Sequence, residues 1–198
     1  MAESGEALNL DLSAFREVVR HPQAHDAILG QYRVGEYAGV VALQRLLGEM
    51  QPEGKLHTAM TIHQRDEDRH TRVFTQWIEK LGVAPEPLPE NVEGFFANSP
   101  DEFRQQRAML EALPAEMRRI VVFAGINAIE RLAFDQFDTH LRVLDCAEDR
   151  EELERVIAEE KFHLSYVEHE LGRQMGGEHA GFVTMVVEQA RLRFAEFS

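Results

Sequence analysis

Six residues of this 198-residue chain form two copies of one pattern of metal-binding residue types. Each copy has a lone glutamate, followed at a distance by a Glu-x-x-His motif, and the distance is 31 residues in the first copy (36 to 67) and 30 in the second (130 to 160). In chain order, the residues are Glu36, Glu67, His70, Glu130, Glu160 and His163. Carboxylates and imidazoles in this ratio, without thiolates, favour iron or manganese.

The distance within each copy matches a helical hairpin. The midpoint of the first copy falls in the helix-breaking run 50–54, and the midpoint of the second falls at the start of the polar run 145–149. If both arms are helical, each glutamate lies about 23 Å from its turn, so that paired carboxylates stand at the same height. The histidine lies one turn further along the same helix face. This geometry predicts a dinuclear metal site inside a four-helix bundle.

Taken singly, a helical glutamate is usually solvated, and one Glu-x-x-His motif is often a surface contact. Together, four unpaired carboxylates buried at the centre of a bundle would cost several kcal/mol each, and two divalent ions would neutralise them. We expect the lone glutamate and the histidine of each copy to bind one metal as terminal ligands. Glu67 and Glu160 would bridge two metals about 3.5–4 Å apart.

The elements that must position these residues are visible as apolar stripes at helical spacing. They predict four long helices, and every proposed ligand takes a stripe position where packing would favour leucine. Two short terminal helices are also expected, with a long crossover that carries its own short helix between the second and third long helices. The predicted ranges are 22–49, 54–81, 115–141 and 148–175 for the bundle, 11–19 and 181–197 for the terminal helices, 82–114 for the crossover and 100–113 for its helix. The fold class is therefore all-α, with one domain over 1–198 and a bundle core at about 22–175.

Composition excludes several classes of protein. The net charge of −14 argues against a nucleic-acid surface, and no apolar run is long enough for a membrane span. Cys146 is the single cysteine, so no disulfide framework or internal Cys-x-x-Cys module is expected. The acidic start without a signal-peptide core predicts a cytoplasmic protein. Apolar stripes on the short terminal helices predict a homodimer.

At the six site residues the chain resembles the ferritin-like superfamily of diiron-carboxylate proteins. The resemblance covers residues 22 to 175, and it implies oxygen or peroxide chemistry at two Fe ions, with Mn or a mixed Mn/Fe pair as alternatives. The expected function is an enzyme that activates O₂ to oxidise or hydroxylate a small organic substrate, with an electron-donor protein as a further possible partner. The alternatives are a ferroxidase of the ferritin storage type and a dimanganese catalase that removes peroxide.

Several departures narrow this choice. The chain lacks the rubredoxin-like module of rubrerythrins, and it has Phe74 where ribonucleotide reductase small subunits keep a radical tyrosine. The terminal helices and the helix-bearing crossover exceed the simpler ferritin bundle, which favours an enzyme with a substrate pocket. Small residues beside the ligands are consistent with a cavity or, equally, with close helix packing. These residues are Gly35, Gly39, Ala124 and Ala133.

Three further residues near the site have two interpretations each. His63 lies four residues before Glu67 on the same face, and we expect it to support the ligands or to be a core residue. The alternative is a third histidine ligand, as in the arylamine N-oxygenases. Tyr32 and Tyr166 each lie one turn from a proposed ligand. We expect both to be amphipathic core residues, with a hydrogen bond to a ligand or a part in electron transfer as the alternative.

Overall fold

The computed structural model describes residues 12–50, 52–90, 100–177 and 179–195. These ranges contain seven α-helices and no strand. In chain order the helices are α1 (Leu12–Arg20), α2 (Pro22–Gly48), α3 (Lys55–Lys80), α4 (Pro100–Ala112), α5 (Ala115–Leu141), α6 (Ala147–Met175) and α7 (Ala180–Ala195). The predicted helices are confirmed, and within the described ranges their bounds differ from the predicted ones by at most one residue. The acidic start, Asp11, Gln51 and the predicted end of the last helix at residue 197 lie outside those ranges.

The ends of the long helices follow from particular residues. Pro22 occupies the first turn of α2, where a missing N–H costs nothing. Gly54 has a φ of 101° immediately before α3, and Gly82 has a φ of 77° two residues after its last residue, Lys80. Both values lie in the left-handed region that favours glycine, so these residues allow the chain to turn sharply at both ends of α3.

The long helices pack as two hairpins. α2 packs along α3 and α5 packs along α6, while α3 and α6 contact each other and join the hairpins. α7 lies against α5 and α6, α1 lies against α2, and α4 contacts α5. None of the helices in the described part of the chain combines the length and the apolar character required to cross a bilayer.

The core divides into two apolar clusters along the bundle. The cluster nearer the α5–α6 turn contains Leu29, Tyr32, Val73, Phe74, Trp77, Ile78, Phe137, Leu144, Leu153, Val156 and Ile157. The other contains Leu43, Leu46, Met60, Ile120, Phe123, Ala124, Ile126, Val167, Leu171 and Val183. On each long helix the proposed ligands fall between the residues of the two clusters. The site is therefore a polar layer sealed by apolar packing above and below.

The terminal helices use part of their apolar stripes within the chain. Val19 packs against the first cluster, and Phe182 and Val186 pack against the second. Val18 and Met185 stay 39% and 51% exposed, respectively. Less apolar surface is left for a partner than the sequence suggests, and the homodimer stays a prediction.

Candidate metal centre

The six predicted site residues converge in the polar layer. All are buried, with relative exposures between 0% and 6%. Two come from each of α3 and α6, and one each from α2 and α5. Because the four carboxylates face one another across the two hairpins, the matched spacing in the sequence does place them at one height.

Two overlapping groups of four residues could each hold a metal ion, since one ligand atom from every member lies within 4.8 Å of the others. The first group is Glu36, Glu67, His70 and Glu160, and the second is His63, Glu67, Glu130 and His163. The predicted terminal pairs, one from each copy of the pattern, are thus separated into different groups. Glu67 belongs to both, as a bridging ligand must.

Glu160 also has a bridging geometry. Its Oε1 lies 3.1 Å from His70 Nδ1, and its Oε2 lies 3.0 Å from His163 Nδ1. The two oxygens of one carboxylate therefore face histidines from the two different groups. A carboxylate in this position can donate one oxygen to each of two metals.

The cluster contains buried polar atoms that protein neighbours do not satisfy. Glu67 Oε1 lies 3.1 Å from His63 Nε2, 3.4 Å from His163 Nδ1 and 3.9 Å from His70 Nδ1. In the described structure neither this oxygen nor His63 Nε2 has a hydrogen-bond partner. Ligand atoms about 2.1 Å from a shared metal stand roughly 3.0–3.4 Å apart without hydrogen-bond geometry between them. The donor set and its spacing therefore fit bound metal ions.

His63 lies closer to the cluster than the sequence analysis favours. Its Nε2 lies 2.9 Å from Glu130 Oε1, and its ring stacks on that of His163 with centroids 3.7 Å apart. Its Nδ1 is hydrogen-bonded to the Tyr166 hydroxyl at 2.7 Å. A histidine held at one nitrogen, with the other aimed at carboxylates, has the geometry of a metal ligand and its supporting contact. Tyr166 accordingly contacts a candidate ligand, which matches the alternative that the sequence left open for it.

Two acidic residues that the sequence analysis missed lie behind the motif histidines. Glu159 Oε2 accepts a hydrogen bond from His70 Nε2 at 2.7 Å, across the α3–α6 interface. Asp66 Oδ2 lies 3.5 Å from His163 Nε2, in the mirrored position but at a longer distance. A carboxylate behind a ligating imidazole fixes the ring so that its other nitrogen faces the metal. The signal was present, because an acidic residue immediately precedes the motif glutamate in both copies.

Arginines near the motifs stay outside the cluster, as helical geometry predicts. Arg69 donates to Glu159 and, at 2.8 Å, to Glu152, both on α6. Arg33 is buried but binds Thr75 Oγ1 at 2.8 Å and the Glu86 carbonyl at 2.6 Å. Neither neutralises a site glutamate.

Burial controls the protonation of the site carboxylates. Burial, together with the charges of the other three site glutamates, raises the pKa of Glu67 well above its usual range. Burial and the charge of Glu130 raise the pKa of Glu160 to about 8. Burial therefore favours the protonated form of both carboxyl groups when no cation is present.

The pKa values of the two motif histidines are raised, although burial alone lowers the pKa of a histidine. Burial acts to lower the pKa of His163, but contacts with Asp66, Glu130 and Glu160 outweigh it and raise that pKa to about 11. Burial likewise opposes the shift of His70, whose pKa is raised by hydrogen bonds to Glu159 and other carboxylates. Ligands must lose these protons to bind a metal, so metal binding releases protons and its affinity rises with pH.

A cavity of about 1140 Å³ lies between α2 and α5 and reaches the buried group of candidate metal ligands. Its lining is mostly apolar, and the cluster contributes Glu36, Glu67, Glu130 and His63 to its wall. Of the small residues noted in the sequence, Gly35, Gly39 and Ala133 line the cavity, whereas Ala124 is buried in an apolar cluster. Three of the small residues therefore fit the interpretation as a cavity, and Ala124 fits the interpretation as close helix packing.

A second pair of buried histidines lies beside the apolar cluster nearer the α5–α6 turn. His25 and His140 face each other with their Nε2 atoms 3.1 Å apart. The sequence analysis assigned no role to His25. Tyr32 packs its ring against His140 and against Phe74 and Phe137, which makes it a core residue of this region, as expected.

Comparison of the chain with protein-family models, curated proteins and solved structures finds no match.

Proposed function

We propose that the protein is a dinuclear iron enzyme of the ferritin-like type, which activates O₂ to oxidise or hydroxylate a small organic substrate. One observation carries the proposal. A buried cluster of metal-ligand residues forms part of the wall of a large apolar cavity. A ferroxidase needs only a path for ions, whereas an oxygenase needs space for an organic molecule beside its metals.

Each metal would be held by one of the two groups of four. Glu36 and His70 would bind the first metal, Glu130 and His163 the second, and Glu67 and Glu160 both. We further propose His63 as a ligand of the second metal, because its Nε2 is buried, faces two carboxylates and has no hydrogen-bond partner in the described structure. Two bound iron ions would supply the redox chemistry with O₂.

The chain itself would position the reactants and exclude water. Glu159 orients His70 and Tyr166 orients His63, so the ligand atoms keep their places in the absence of metal. The two apolar clusters close the layer along the bundle axis, which leaves the cavity as the route for a substrate. An electron-donor protein and a homodimeric assembly belong to the same proposal.

Metal content and oxygen reactivity provide the first test. Protein produced in iron-rich medium should contain about two iron ions per chain. Anaerobic reduction followed by O₂ should change its optical spectrum and consume oxygen. Two manganese ions with rapid peroxide breakdown would point to the catalase type. Assembly into a large cage that takes up many irons per chain would point to storage.

Substitutions at two glycines of α2 distinguish an effect on substrate access from an effect on metal binding. A Cβ built on Gly39 would stand 2.7 Å from Glu67 Oε2, whereas one built on Gly35 meets nothing within 4 Å. Both residues line the cavity. Gly35→Leu should keep the metals while reducing substrate turnover at least tenfold, because its side chain occupies cavity space. Gly39→Leu should displace Glu67 and lower metal content as well.

The readouts are metal per chain and turnover, measured on the same preparations. Full turnover by a metal-loaded Gly35→Leu variant would contradict the assignment of this cavity to the substrate. Full metal content in Gly39→Leu would show that Glu67 can move without loss of the site.

A further inference from the structure

The cavity has a chemically distinct end away from the cluster. Near the end of α2, on α4 and near the start of α5, four arginines contribute to its lining. These arginines are Arg45, Arg107, Arg118 and Arg119. Among the residues that the structure describes, two acidic side chains line the same end, Glu49 and Glu111. In a chain with a net charge of −14, the described lining of this end therefore has more cationic than anionic side chains.

The two acidic residues already have partners among these arginines. Arg45 Nε lies 3.7 Å from Glu49, and Arg107 Nε donates to Glu111 at 2.9 Å. Arg118 differs, since its Nε is buried and has no hydrogen-bond partner in the described part of the chain. A buried guanidinium N–H without an acceptor is costly. Because Arg118 also lines the cavity, an anion bound there can accept charge-assisted hydrogen bonds from its guanidinium.

The distance between the arginines and the cluster limits the size of a ligand that spans both. Arg45 lies nine residues after Glu36 on α2, and Arg118 lies twelve residues before Glu130 on α5. At a rise of about 1.5 Å per residue, these separations are roughly 14 and 18 Å along the bundle. An extended chain advances about 1.2 Å per bonded atom, so roughly 11 to 15 atoms would cover the distance.

We propose that the cavity binds an anionic amphiphile of the fatty-acid class, with its head group at Arg118 and its apolar chain extending toward the metal centre. The apolar lining matches the chain, and the cationic end matches the head group. Binding itself follows from the cavity, whereas the idea that this molecule is the substrate rests on the proposed function. A carboxylate and a phosphate monoester share the head-group chemistry.

Binding of matched twelve-carbon probes to the metal-loaded protein tests the proposal. Dodecanoate and dodecyl phosphate carry anionic heads, dodecan-1-ol is neutral and dodecyltrimethylammonium is cationic. Calorimetry below the micelle concentrations should show an anionic probe that binds at least about tenfold more tightly than the alcohol or the cation. The tighter of the two anionic probes identifies the head group. Octanoate should bind more weakly than dodecanoate, because less apolar chain is buried.

Variants of one arginine with a matched control locate the head group. Arg118→Gln should weaken binding of the anionic probe about tenfold and leave dodecan-1-ol unchanged, because it removes a charge-assisted hydrogen bond. Arg118→Lys keeps the charge and should keep most of the preference, which also controls for folding. Arg142→Gln removes the same charge from the exposed far end of α5 and should change none of the affinities.

Three outcomes would overturn the proposal. These are equal affinity for all head groups, an unchanged preference in a folded Arg118→Gln variant, and an equal loss in Arg142→Gln. Failure of the proposed function would give a different experimental result. A protein that prefers anionic probes but holds no metal, or does not react with O₂, would be a carrier of such molecules instead of an oxygenase. A protein that holds metal and reacts with O₂ but does not prefer anionic probes would contradict only the proposed class of substrate.

Discussion

Two groups of histidines are buried in one bundle, and they differ in their protonation. In the metal centre, the motif histidines contact carboxylates, and the pKa of His163 is raised to about 11 against the effect of burial. His25 and His140 contact each other instead, with one Nε2 donating to the other. Burial and the neighbouring His25 lower the pKa of His140 to about 3.

The comparison separates the effect of burial from that of neighbours. His70, His140 and His163 are all 0% exposed, so burial alone cannot explain opposite shifts. The difference is that several carboxylates contact each motif histidine inside the core, while aromatic rings surround His140. At His63, which also contacts Glu130, burial outweighs the carboxylates and lowers the pKa. The acidic residues that act on this pair are Asp26 and Asp149, and Asp149 binds Lys80 Nζ at 2.8 Å. Carboxylates in a core create a demand for cations, whereas a pair of neutral imidazoles does not.

The largest expected effect follows from removal of the carboxylate that both metal groups share. Glu67→Gln should abolish oxidase activity and lower metal content, because Glu67 belongs to both groups. His140→Leu is the control, because it removes a buried histidine that belongs to neither metal group. Its metal content should stay unchanged. Metal analysis and oxygen consumption of the two variants provide the comparison.

Unfolding of the metal-free protein provides the control for that experiment. Glutamine resembles the protonated form of Glu67, so the free energy of unfolding without metal should stay the same or increase. A loss of several kcal/mol in metal-free Glu67→Gln would mean that the four glutamates form a structural network.

A smaller effect is expected for the acid sensitivity that comes from His140. Its folded pKa is about 3 and its unfolded pKa is near 6.5, so between these values the unfolded chain binds a proton that the folded protein does not. The resulting stability is fully present above the unfolded pKa and is lost as the pH falls toward 3. Between about pH 7.5 and about pH 4 the loss from this group is on the order of 3 kcal/mol.

The measurement is urea unfolding of wild type and His140→Leu at several pH values. The variant should lose less stability in acid than wild type, because it lacks the group that takes up the proton. Parallel pH dependences in the two proteins would show that His140 is not held neutral in the fold.

The sequence predicts much of the fold because helix periodicity and breakers are local signals. Pro22, Gly54 and Gly82 mark helix ends, and the matched distances between the two copies of the pattern bring the six site residues together. The place of His63 was harder to predict. Its spacing from Glu67 shows the face that it occupies, but only the packing of the α2–α3 hairpin against the α5–α6 hairpin brings its Nε2 to Glu130 on α5.

Contacts between helices far apart in the sequence could not be predicted in the same way. The pairing of His25 with His140 and the cavity between α2 and α5 depend on how the two hairpins are placed against each other. No periodicity within one helix contains that information. The acidic residues before the motif glutamates were visible in the sequence, yet on a helix surface such residues are usually solvated.

The last prediction alters the carboxylate behind one ligand and keeps the ligand itself. Glu159 and Glu152 both accept hydrogen bonds from Arg69, but only Glu159 also binds His70 Nε2. Glu159→Gln should weaken metal binding by about 10- to 100-fold, because His70 loses the partner that orients its ring and increases its basicity. Glu152→Gln removes the same charge from the same arginine and should leave metal affinity unchanged. Competition with a chelator, at fixed pH and salt, measures both affinities. An equal loss in both variants would assign the effect to Arg69 and to the packing of α3 against α6. The contact between Glu159 and His70 would then no longer explain how the metal centre differs from the pair of His25 and His140.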